Sequence, residues 1–81
     1  MQEIKMEMKK RAKLNQGLVN RLAYDAECIF TDVSNFDIIC MNESIESSKN
    51  TLEKLFDSIV ELEYLLYLIK DNSSRKKHTP L

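Results

Sequence analysis

The sequence predicts an all-α chain, either one long helix or a two-helix hairpin, forming part of an intermolecular coiled coil or helical bundle. Three observations carry this. One glycine and one proline punctuate 81 residues, so the usual turn signals are nearly absent. Ala, Leu, Met, Glu and Lys are plentiful, and β-branched and aromatic residues do not alternate with the period of two that a strand requires. Apolar residues instead recur in steps of three and four, which keeps them on one side of a helix.

Two such registers exist. The first runs Leu22, Ala26, Ile29, Val33, Phe36, Cys40. The second runs Ile38, Met41, Ile45, then Leu52, Leu55, Ile59, Leu62, Leu66 and Ile69, out of phase with the first. The phases overlap at Ile38 to Met41, which means a stutter within one helix or a break soon afterwards. The expected break is residues 42–50, where Ser44, Ser47, Ser48 and Asn50 surround a single large apolar residue, Ile45. Asn50 and Glu53 have the spacing of a capping box for a second helix. Unbroken, a helix over residues 3–70 would extend about 100 Å. Gly17 is expected to loosen the first helix by about 1 kcal/mol relative to alanine. The helical region is taken as residues 1–71, ending at the turn residues Asn72, Ser73 and Ser74, with residues 72–81 as a disordered basic tail.

Between Leu52 and Ile69 the apolar stripe is wider than a two-residue seam. Phe56, Val60 and Leu65 broaden it to one side, which a helix tolerates in water when more than one neighbour covers it. A chain this short also has difficulty closing a core of its own. Cys28 and Cys40 lack the spacing of a disulfide framework or a zinc site. They read as buried free thiols in a reducing compartment. Oligomerisation then remains as the way to complete the fold.

Net charge is −1, but residues 1–24 carry +4, residues 25–69 carry −8 and residues 70–81 carry +3. A parallel homomer would bring the acidic middles together, so other helical subunits in a hetero-oligomer are the favoured partners. An antiparallel homo-oligomer escapes part of that objection. Nucleic-acid binding is not expected: the basic stretch Lys9, Lys10, Arg11, Lys13 is sparse for a base-reading helix, and the acidic middle repels phosphate. A membrane-surface role must accommodate Glu61 and Glu63 within the apolar stripe, and the basic N-terminal helix reads more simply as a solvated end. No apolar run approaches the roughly 20 residues that span a bilayer, and residues 1–13 have no continuous apolar core for a leader, so cytoplasmic placement is expected.

Enzyme chemistry finds no foothold. The one histidine, His78, has no partner for acid–base or nucleophilic work, no glycine-rich phosphate loop exists, and no cofactor or metal is expected. The terminal His78-Thr79-Pro80-Leu81 fits a weak PDZ-type ligand, for which an unstructured tail is the simpler reading.

Phe36-Asp37-x-x-Cys40, followed by Leu52, Leu55, Ile59, Leu62-Glu63 and Leu66, resembles the BRICK-type small subunit of the WAVE actin-regulatory complex over residues 36–66, with residues 41–51 set between the two parts here. Small helical subunits of lysosome-related-organelle biogenesis and kinetochore complexes are similar in kind. The resemblance implies a stoichiometric scaffold subunit that contributes one or two helices to a shared bundle. The expected function is therefore a non-enzymatic structural or adaptor subunit, with Ile29, Val33, Phe36, Leu52, Leu55, Ile59, Leu62, Leu66 and Ile69 as partner-facing residues. The alternatives are a homo-oligomeric helical regulator that sequesters another protein, or a membrane-surface adaptor acting through the basic N-terminus.

Overall fold

The computed structural model describes residues 2–78, with side chains for residues 2–71, and shows two helices, α1 (Gln2–Ser34) and α2 (Ile38–His78). They pair along their length as a hairpin inside a Cα envelope of 68 × 15 × 13 Å. The all-α expectation is met, in its two-helix form.

The chain reverses in three residues. At the end of α1 the Phe36 amide donates to the Val33 carbonyl at 3.1 Å, and the Asp37 amide donates to the Asp32 carbonyl at 2.9 Å. This pair of bonds is a Schellman closure, which satisfies carbonyls that the helix end leaves open and requires a left-handed residue between its donors. Phe36 fills that position with φ 53°, a conformation usually left to glycine or asparagine. Asp37 then starts the next helix. Its carbonyl accepts from the Met41 amide at 2.9 Å and its carboxylate Oδ1 from the Cys40 amide at 3.1 Å, which is N-cap geometry.

The break therefore lies at residues 35–37, not 42–50. Residues 42–50 are continuous helix within α2, and Asn50 caps nothing. The physical reason is that the serines there are seam residues. Burial runs in steps of three and four on both helices, with positions 7, 28, 47, 61 and 68 partly buried beside the seam. On α1 it follows positions 4, 8, 11, 15, 18, 22, 25, 29 and 32, and on α2 positions 41, 44, 48, 51, 55, 58, 62, 65 and 69. That is the 3.5-residue repeat of a coiled coil. Near the turn the seam sets small and polar residues beside Ile29 and Met41. The Ser44 hydroxyl donates to Asp32 Oδ2 at 2.9 Å, and the Ser47 hydroxyl donates to Asp25 Oδ2 at 3.1 Å.

One further expectation is corrected. Helix α2 does not stop near Asp71 but continues to His78, since no residue between them forbids helical backbone as proline would. Thr79, Pro80 and Leu81, the remainder of the tail and of the terminal ligand motif, lie outside the described residues. Gly17 sits within unbroken α1.

Candidate functional site

The hairpin's own core is thin. Among the described residues Leu65 is the only buried apolar side chain, whereas Asp25, Thr51 and Ser58 are buried and polar. Ser58 is 1% exposed and its hydroxyl has no hydrogen-bond partner, nor does the buried Asn15 Oδ1. The register set by the Ser44–Asp32 and Ser47–Asp25 bonds places Asn15 and Ser58 at the same level, so the middle of the seam is a polar layer. A polar layer contributes less than an apolar one and carries the cost of any group left unpaired.

The most regular apolar surface lies instead on one outer face, although Phe30, Ile39, Val60 and Tyr67 are also exposed outside it. On α2 it is a stripe repeating every seven residues: Ile38, Ile45, Leu52, Ile59 and Leu66, each between 43% and 64% exposed. On α1 the corresponding stripe is Ala12, Val19, Ala26 and Val33, all exposed. Each stripe follows one set of seam positions by four residues, and in an antiparallel pair those two flanks lie on the same side of the plane through both helix axes. The other side is more polar, although Leu14 and Tyr64 stand on it at 49% and 56% exposed. There Arg21 of α1 lines a surface hollow of about 440 Å³ with Glu46, Ser47, Asn50 and Lys54 of α2. Arg21 Nε stands 3.9 Å from Asp25 Oδ1 with its own side chain 65% exposed, so this ion pair adds little.

Total accessible surface is 6745 Å², whereas a compact monomer of 9.5 kDa exposes about 5,000 Å². The excess follows from the elongated shape.

Of the nine residues expected to face a partner, the hairpin divides two groups. Ile29, Leu55, Leu62 and Ile69 are half-buried seam positions that face the chain's own other helix. Val33, Leu52, Ile59 and Leu66 belong to the exposed stripes, and Phe36 stands at the turn, 75% exposed. The sequence reading did not assign Ala12, Val19 and Ala26 to the site, because two are small and their shared face is defined by the antiparallel partner beside them. A strict seven-residue spacing from Val33 backwards is the signal that would have found them.

The thiols are not both buried. Cys28 is half-buried and Cys40 exposed, because Cys40 falls in the first turn of α2, outside the seam. Hydrogen bonding to Asp37 and the negative charge of that carboxylate push the Cys40 thiol above its ordinary pKa. The Cys40 backbone amide, together with the same thiol, holds the Asp37 carboxyl below the usual aspartate value. No described helix is long and apolar enough to cross a membrane.

These features define an antiparallel two-helix hairpin with a regular aliphatic stripe along one face. In comparisons with protein families, curated proteins and solved structures the chain matched none.

Proposed function

We propose that the chain is a non-enzymatic structural or adaptor subunit of a multi-chain helical assembly, acting by packing its apolar face against other helices. The observation that supports this best is the contrast between stripe and seam: large aliphatic side chains repeat every heptad on the exposed stripe, at exposures between 43% and 64%, while the intramolecular seam is partly polar. An exposed stripe of this length on a small chain marks an interaction surface. Seam residues Leu55, Leu62 and Ile69 join the same layer once that face is covered, giving a bundle of three or four helices.

The test separates this face from the seam. Leu52→Ser with Ile59→Ser removes two face residues, each about half exposed, and is expected to leave helicity intact while abolishing association measured by sedimentation equilibrium. Leu62→Asp does not make this separation, because Leu62 also packs the hairpin itself. A wild-type chain that stays strongly helical and monomeric at all concentrations would overturn the reading.

A further inference from the structure

We propose that the occupant of this face is a second copy of the chain, laid antiparallel so that two hairpins form a four-helix bundle with their turns at opposite ends. This rests on the helical-assembly reading and names its partner.

Charge decides the sense. Folding into a hairpin brings the start of α1 and the end of α2 to one end of the rod and the turn to the other. The half containing the turn, residues 19–57, has eight acids against three bases, a net of −5. The open half, counted over residues 2–18 and 58–71, has six bases against five acids, a net of +1. The apolar stripes alone accept either direction. A parallel pair sets like charge against like at both ends, whereas an antiparallel pair sets each weakly basic end on an acidic turn. The objection that favoured a hetero-oligomer applied to parallel helices, and the hairpin removes it.

The register closes as well. With a two-fold axis near residues 55–56 of α2, Leu52 faces Ile59 of the second copy and Ile45 faces Leu66. At the rim of the same interface Lys49 meets Glu63, and Phe56, 66% exposed, meets its own counterpart. The hydrogen-bonded hairpin register puts Val19 of α1 at the same level, so the one axis also pairs Val19 with Val19 and Ala12 with Ala26. Small residues there allow α1 to approach its copy closely. The face is two helices across, about 20 Å, over the roughly 50 Å that the 33 residues of α1 span. Its projected area, on the order of 1,000 Å², meets the roughly 800 Å² per partner of a stable interface.

The experiment uses the full chain with Cys28→Ser and a nitroxide label on the exposed Cys40, combining sedimentation equilibrium, circular dichroism and the distance between labels. Cys40 lies about 23 Å along the axis from the two-fold, so the expected result is a helical dimer with labels about 50 Å apart. A dimer with labels at about 30 Å or less is parallel and overturns this inference, leaving the helical-assembly reading in place. A weakly helical monomer at every concentration overturns self-pairing and points to a different helical chain as occupant. A strongly helical monomer overturns both.

Discussion

The Ser47 hydroxyl on α2 donates to the carboxylate of Asp25 on α1 across 3.1 Å, with Asp25 only 6% exposed. With the Ser44–Asp32 bond at 2.9 Å it forms a pair of serine-to-aspartate links at the turn end, and the two together fix the register of the hairpin. Every other placement in the molecule, including which residues share the apolar face, follows from that register.

Asp25→Ala should therefore destabilise the hairpin by about 2 kcal/mol in denaturant unfolding, since a hydrogen bond to a charged group contributes about 1.5–3 kcal/mol and its loss strands the Ser47 hydroxyl. Ser47→Ala should cost less. A double-mutant cycle is expected to show coupling of about 1 kcal/mol, and additive effects would mean that the bond does not hold the register.

Phe36 adopts φ 53° without the freedom of glycine. Phe36→Gly should stabilise the isolated hairpin by about 1 kcal/mol, because an L side chain in the left-handed region costs about that much. The exposed ring would be lost at the same time. If association weakens while the hairpin itself becomes more stable, the ring is a contact that the strained backbone serves to present. If both improve together, Phe36 has no role in the interface.

Asp37 titrates below its ordinary value when folded because it accepts from the Cys40 amide. A depressed folded pKa contributes stability that is fully present above the unfolded aspartate value and is lost as pH falls through the lower, folded one. Acidification should thus lower the melting midpoint. Asp37→Asn still accepts from the Cys40 amide and cannot ionise, so its midpoint should fall less over the same pH range. Equal falls in the two proteins would place the acid sensitivity elsewhere.

A Cβ built on Gly17 meets nothing within 4 Å, and its φ is not positive. Gly17→Ala should raise stability by about 1 kcal/mol through the reduced entropy of the unfolded chain. No gain would show that α1 is not continuously helical at that point in solution.

How much was legible in the sequence depends on the kind of residue. Leu55, Leu62 and Ile69 stood out because they serve the intramolecular seam and the exposed face at once, so any heptad reading includes them. Ser44, Ser48, Thr51 and Ser58 did not, because a polar run in a helix reads as a break unless an acceptor faces it, and Asp25 and Asp32 arrive from a distant part of the chain. The turn was hidden for a related reason. Phe36 completes an apolar heptad in the sequence, and the Schellman closure places it where glycine is expected. The local signal was the cluster Ser34, Asn35 and Asp37, with Asp37 three residues before Cys40 as an N-cap.

The central claim is that the exposed heptad stripe drives association of the folded hairpin. The most direct test is thermal melting followed by circular dichroism on the full chain and on Leu52→Ser with Ile59→Ser, over a wide range of protein concentration. The wild-type midpoint is expected to rise with concentration, as an associating chain must show, and the variant midpoint to be lower and independent of it. A wild-type midpoint that does not move with concentration and matches that of the variant would contradict the claim.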